Sequence, residues 1–249
     1  MSKILKKNSL LRYSRQIILK DIGIIGQKKI KNSKILIVGI GGLGSPAADL
    51  LTRAGVGEIG IMDYDIINLS NIHRQTLFSA KDVGKFKVTI AKKKLNLINK
   101  EVKINIYNQK ADEKILKKII KKYEIIIDGS DNFKTKFLLN KISIKYKKKL
   151  IIGAISKFDG HIFAFNFNEK KSPCLKCFYQ SEPSDEILNC ESEGILGSTS
   201  NIVGAIQANE ALKTILNISN NLKSNILILD LLNLKFRKVF FKKKSKCIC

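Results

Sequence analysis

Short unbroken apolar runs alternate along this chain with stretches whose apolar residues recur at helical spacing. Lys34-Ile-Leu-Ile-Val38 stops at a glycine turn, which predicts a buried strand. Ser45-Pro46 then opens a helix through Arg53, with proline in its first turn and Gly55 closing it. Glu58 to Asp63 is the second strand, and the three segments make one βαβ unit. Val88, Ala91, Leu95 and Ile98 form the apolar stripe of an amphipathic helix ahead of a strand from Val102 to Tyr107. Asp112 caps a helix carrying Ile115, Ile119 and Ile120, and Glu124 to Asp128 follows as another buried strand. A helix from Asn132 to Tyr146 and a strand from Leu150 to Gly153 end this alternation.

The period then changes to two. Phe158 to Phe167 predicts antiparallel strands around Asp159-Gly160. Residues 180–199 have no period and predict a mobile loop. A helix through Ile202, Ile206, Leu212 and Leu216 and two strands, near Ile226–Asp230 and Leu234–Phe241, complete the sheet. Ahead of everything lie two helices, Ser9 to Leu19 and a shorter one ending at Lys31. The fold class is α/β: a Rossmann-like, mostly parallel sheet with helices on both faces, extended by antiparallel strands in the C-terminal half. With 249 residues, no repeats and no long linker, one domain over 1–249 is expected.

Composition adds a large charge and a bias. The formal net charge is +25, carried by 46 basic residues of which only Arg12, Arg15, Arg53, Arg74 and Arg237 are arginine. The lysines are spread over most segments instead of forming one stripe with interleaved aromatics, so the charge reads as drift toward Lys, Ile and Asn and not as a nucleic-acid face. The bias makes each arginine informative, because a planar fork grips phosphate in a way lysine cannot copy. No uncharged apolar run approaches the length of a membrane span, and the lysine-rich start has no apolar run behind it, which argues against a span or a signal peptide. Paired cysteines without a secretory signal then suggest thiolates held by metal in a reducing cytoplasm.

Candidate chemistry sits at both ends. In Gly39-Ile40-Gly41-Gly42-Leu43-Gly44, Gly39 allows the tight turn, Gly41 lets backbone N–H groups approach a phosphate, and Gly44 permits close helix packing. Asp63, ending the next strand, is placed for ribose hydroxyls. Arg74, Lys87 and Asp131-Asn132 add cations and a carboxylate that can neutralise a triphosphate and hold magnesium, a cluster a plain NAD site does not need. Asp131-Asn132 reads equally as a helix N-cap. Five cysteines lie in the last third: the pairs Cys174/Cys177 and Cys247/Cys249 can fold into a tetrahedral metal site, and Cys190 stands alone. His73 reads as a spacer and His161 as a strand surface residue.

These motifs, with Arg12-Tyr-Ser-Arg15-Gln, Gly26-Gln27, Ala54-Gly-Val-Gly57, Ser70-Asn-x-x-Arg74-Gln and Cys190-Glu191, occur in the order of a known family. The chain resembles, over essentially its whole length, the ThiF/MoeB/HesA adenylyltransferases that activate ubiquitin-like sulfur carriers and are relatives of the ubiquitin-activating enzymes. The resemblance implies ATP, Mg2+ and Zn2+ as cofactors, and as partners a small carrier ending in Gly-Gly and a second copy of the chain. It implies an ATP site at Gly42, Asp63, Ser70, Asn71, Arg74, Lys87, Asp131 and Asn132, with Arg15 reaching the phosphates of the neighbouring subunit. It implies zinc on Cys174, Cys177, Cys247 and Cys249, although the family's second pair is Cys-x-x-Cys and this one is a residue shorter. Cys190 is implied as a sulfur-transfer thiol or an idle loop residue. The chain would divide into N-terminal helices (9–31), a nucleotide-binding half (34–153) and a carrier-binding and zinc half (154–249). A nicotinamide oxidoreductase would leave the arginines unexplained. An enzyme cyclising a modified tRNA adenosine shares the ATP fold and would suit the basic surface, but does not call for this Cys-x-x-Cys.

Overall fold

A computed structural model describes residues 7–179, 183, 194–219, 222–245 and 247. Eight strands form one sheet in the order β3-β2-β1-β4-β5-β6-β7-β8. Its parallel part comprises β1 (Lys34–Val38), β2 (Glu58–Met62), β3 (Lys103–Tyr107), β4 (Ile125–Asp128) and β5 (Lys149–Ser156). Three antiparallel strands extend it: β6 (Asp159–Asn166), β7 (Asn225–Asp230) and β8 (Lys235–Phe240). The mixed sheet is the one the apolar periods call for.

Strand alternation assigns the two cores. Ile35 and Ile37 pack on one face with α4 (Gly44–Ala54), α5 (Lys87–Ile98) and α9 (Gly197–Leu216). Leu36 and Val38 pack on the other with α6 (Glu113–Ile119) and α7 (Phe133–Lys145). Because both faces are covered, β1 and β4 are buried almost end to end, which is why they read as continuous apolar runs. The strand order reverses between β1 and β4. In open α/β sheets that reversal leaves a crevice at the carboxyl ends of the strands, and ligands bind there.

Two local expectations are corrected. The first helix is broken at Tyr13 into α1 (Lys7–Arg12) and α2 (Ser14–Ile17), before α3 (Gly23–Asn32). Tyr13 is buried, accepts a hydrogen bond at its hydroxyl from Asn99 Nδ2 at 2.8 Å, and lies so close to Gly55 that a Cβ there would sit 2.4 Å from its ring. Anchoring that ring outweighs helix continuity. The β5–β6 hairpin turns at Lys157-Phe158, not Asp159-Gly160, with Lys157 left-handed at φ 51° and Ser156 paired to Asp159. Gly160 serves packing instead: a Cβ would meet Val203 of α9 at 2.4 Å. The loop expected over 180–199 falls mostly outside the described residues, and its last three residues open α9. No described helix is long and apolar enough to cross a membrane.

Candidate active site

A cleft of about 310 Å³ opens at the carboxyl ends of β1, β2 and β4, at the reversal of strand order. Gly39 leaves β1 at φ +87°, and its N–H donates to Met62 O at 2.8 Å. A Cβ on Gly44 would lie 1.9 Å from Gly39 O, so helix α4 starts directly against the turn only because residue 44 has no side chain. Gly39, Gly41 and Gly42 line the cleft, whereas Gly44 sits behind the turn as its packing requirement.

Asp63 follows β2 and lines the cleft. Its Oδ2 accepts from Ile40 N at 2.8 Å and its Oδ1 from Asp65 N at 2.9 Å, which locks the carboxylate beside the glycine turn. Burial pushes its pKa up, and the Lys87 charge and the two backbone N–H groups pull it back. Lys87 opens α5 almost completely buried, with Nζ 2.9 Å from Asp65 Oδ2. Asp65 is a cleft residue the sequence reading missed.

Arg74 also lines the cleft, with Nη1 on Ser70 O at 2.9 Å and beside His73 Nε2 at 2.8 Å. Ser70 and Asn71 do not border the cleft. They build the turn that presents the arginine: Asn71 is buried, its Oδ1 accepts from Asn68 N at 3.1 Å, and its carbonyl accepts from Arg74 N at 3.1 Å. His73, expected as a spacer, therefore touches the guanidinium. Asp131 is exposed at the rim and Asn132 is both a lining residue and the N-cap of α7, accepting from Thr135 N at 2.8 Å. Gln75, Lys110, Lys134 and the buried pair Asp128 and Lys136 were also missed, although of these Asp128 does not reach the cleft.

Arg15 lies on α2, exposed and outside the cleft of its own chain. The helices around it expose Leu11, Ile18 and Ile25, each at 69% or more. Such a concentration of bare aliphatic side chains favours contact with another macromolecular surface.

The sulfur site is separate. Cys174 Sγ lies 3.9 Å from Cys177 Sγ and 3.6 Å from Cys247 Sγ, and Lys244 N–H points at Cys177 Sγ from 3.5 Å. A tetrahedral zinc with sulfur ligands at about 2.3 Å has sulfur–sulfur edges of about 3.8 Å, so this donor set fits the ion. The short helix α8 (Leu175–Phe178) carries Cys177 and is tied to α7 through Leu175 N on Asn140 Oδ1 at 3.0 Å. Cys190 and Cys249 lie outside the described residues. His161 is on β6 as expected, but half-buried there and not at the surface.

Residues 13–249 match the model of the ThiF family. The chain is 35% identical over 245 residues to a sulfur carrier protein adenylyltransferase of Thermus thermophilus, covering 97% of this chain and 90% of that protein. It is 37% identical over 246 residues to an adenylyltransferase and sulfurtransferase of Culex quinquefasciatus, covering 98% of this chain but 56% of the mosquito protein, so it spans about half of that relative. A crystal structure of E. coli MccB with ATP superposes with a TM-score of 0.83 at 25% identity, over 95% of this chain and 73% of that one. The chain belongs to the ThiF family and is an enzyme of the adenylyltransferase class.

Proposed function

We propose that the enzyme uses ATP to adenylate the terminal carboxylate of a small ubiquitin-like sulfur-carrier protein ending in Gly-Gly, with release of pyrophosphate, for molybdopterin or thiamine biosynthesis. The observation that carries this reading is the glycine turn, Asp63, Arg74, Lys87 and Asp131 around one cleft, in a chain 35% identical to a sulfur carrier protein adenylyltransferase.

A carboxylate oxygen of the carrier forms a bond to the α-phosphorus as the bond from that phosphorus to the bridging oxygen breaks. The electron pair leaves with pyrophosphate. The nucleophile is already an anion, so no proton has to be removed and no general base is needed. Catalysis is then positioning and charge neutralisation. Backbone N–H groups of the glycine turn hold phosphate oxygens and Asp63 holds the ribose hydroxyls. Arg74 and Lys87 take the phosphate charge, Lys87 exchanging Asp65 for the nucleotide. Asp131, exposed at the rim with its Oδ1 3.2 Å from Asn132 Nδ2, suits a carboxylate ligand that would hold Mg2+, whose charge would help neutralise the phosphates. Ser70 and Asn71 act through Arg74.

Arg15 serves the cleft of a second copy of the chain, docked through the aliphatic surface of α1–α3. Zinc is held by Cys174, Cys177, Cys247 and Cys249, and acts structurally. Carrier binding falls to residues 154–249, and Cys190 is the thiol for the sulfur step that follows. The test is the intact mass of a Gly-Gly carrier after incubation with enzyme and Mg·ATP. A carrier heavier by one adenylyl group is expected. No adduct, or an equal adduct on a carrier lacking its last two glycines, would refute the reading.

A further inference from the structure

At the floor of the cleft, with Lys136 in its lining and Asp128 behind it, lies an ion pair that the chemistry above leaves unused. Asp128 ends β4 at 0% exposure, and Lys136, in the first turn of α7, is 1% exposed. Lys136 Nζ donates to Asp128 Oδ2 at 3.2 Å, to Ser130 O at 2.7 Å and to Gly153 O at 2.7 Å. An ammonium has three protons to donate, and each has its acceptor here. Asp128 Oδ1 accepts in turn from Ser130 N at 2.9 Å and Ser130 Oγ at 2.5 Å. The two side chains thus grip Ser130 by its amide, hydroxyl and carbonyl, and fasten it to β5.

Such an arrangement is an expensive way to fill a core. Desolvating two charges often costs more than their attraction returns, and apolar residues of similar size commonly do as well. Phe133 and Phe137 flank Lys136 on the same buried face, so an aliphatic side chain there would be in keeping with its neighbours. What the pair adds is a fixed backbone. Gly129 cannot carry a side chain, because its Cβ would meet Gly39 O at 2.7 Å, so the backbone just before Ser130 lies directly against the glycine turn. The peptide that Lys136 grips through Ser130 O is the one that leads into Asp131, on the cleft wall.

We propose that Asp128 and Lys136 form a positioning device that presets Asp131 for the divalent cation of the bound nucleotide, so that Lys136 governs the cation-dependent part of ATP affinity. This rests on the adenylation reading only for the role of Asp131. Supporting shells of this kind typically change metal affinity by about 10- to 100-fold when removed.

The test is calorimetric binding of ATP with and without Mg2+ to the full chain, its Lys136→Met variant, its Lys136→Arg variant and the double variant Asp128→Asn/Lys136→Met, with melting temperatures alongside. Lys136→Met leaves a buried carboxylate unpaired and should melt early, whereas the neutral double variant should recover most of the loss. In the double variant the gain in ATP affinity on adding Mg2+ should fall about tenfold or more, over and above any change in the binding of ATP alone. Lys136→Arg, which keeps charge and donors, should retain the gain. A double variant with the full Mg2+ gain would overturn the proposal and leave the pair a core feature. Should the double variant not fold, the wild-type ammonium decides. Its protons are shielded from exchange and should give a 15N–1H signal, lost in Lys136→Arg, that moves on adding Mg·ATP and not ATP alone; a signal indifferent to Mg2+ overturns the proposal. Wild type that binds no ATP would instead refute the nucleotide site itself.

Discussion

On the proposed zinc site, replacing Cys174 by serine should abolish zinc binding and lower thermal stability without abolishing adenylation. The two sulfur separations, 3.6 and 3.9 Å, differ from the edge of a zinc–thiolate tetrahedron, about 3.8 Å, by only about 0.2 Å or less. The described thiols are therefore already spaced for the ion, and the free energy of binding zinc would add to the stability of the folded state. With free zinc at about a thousand times the dissociation constant, that is about 4 kcal/mol of stabilisation. A chain of this size gains about 2–4 °C for each kcal/mol, so the melting temperature should fall by about 8–16 °C in Cys174→Ser or on chelation of the wild type. Deleting residues 246–249 should do the same. None of Cys174, Cys177 and Cys247 borders the cleft, so the adenylation rate well below the melting temperature should change little. The assay is metal content by atomic emission together with calorimetric melts, with and without chelator. One zinc per chain retained in Cys174→Ser, or a melt indifferent to chelator, would refute the reasoning.

Gly44→Ala should lose nucleotide affinity as well as stability, because the new methyl carbon would sit 1.9 Å from Gly39 O and force the phosphate turn apart; unchanged ATP binding by calorimetry would contradict this. Arg74→Ala should lower the adenylation rate by about 10²-fold or more at saturating ATP, in steady-state kinetics. Mixing inactive Arg15→Ala and Arg74→Ala subunits should restore activity through mixed dimers, and failure despite demonstrated subunit exchange would confine the site to one chain. Asp82 is raised by burial but brought down to about 2 by hydrogen bonds from Lys94 and Ser79, so its stabilisation is present above its ordinary value near 3.8 and lost as pH falls toward about 2. Asp82→Asn should therefore flatten the acid limb of the stability curve in that window, followed by circular dichroism.

The strand runs were legible because two-sided burial leaves an unmistakable mark: β1 begins and ends where the run Lys34–Val38 does. The places of the glycine turn after β1 and of Asp63 after β2, both on the cleft, were legible because they depend on local spacing alone. What was not legible depended on distant partners. Gly160 looked like a turn residue until Val203 of α9 supplied another reason for it, and the helical period through residues 9–19 gave no hint that Asn99 and Gly55 hold Tyr13 out of line. Lys136 was invisible among so many lysines. Its spacing of three from Phe133 and its place beside Phe137 put it on the inward face of α7, and that was the available signal. The resemblance gave Ser70 and Asn71 as ATP-site positions; they lie outside the cleft lining, in the turn that carries Arg74, a placement that depends on the fold of residues 68–74 and not on the motif.

Exchange of labelled pyrophosphate into ATP, with purified enzyme and with or without a Gly-Gly carrier, is the decisive measurement. Adenylation of a carrier carboxylate is reversible while the acyl-adenylate stays bound, so exchange should require the carrier and vanish when its two terminal glycines are removed. Exchange that proceeds without carrier, or that ignores the loss of those glycines, would contradict adenylation of a sulfur carrier as the reaction of this enzyme.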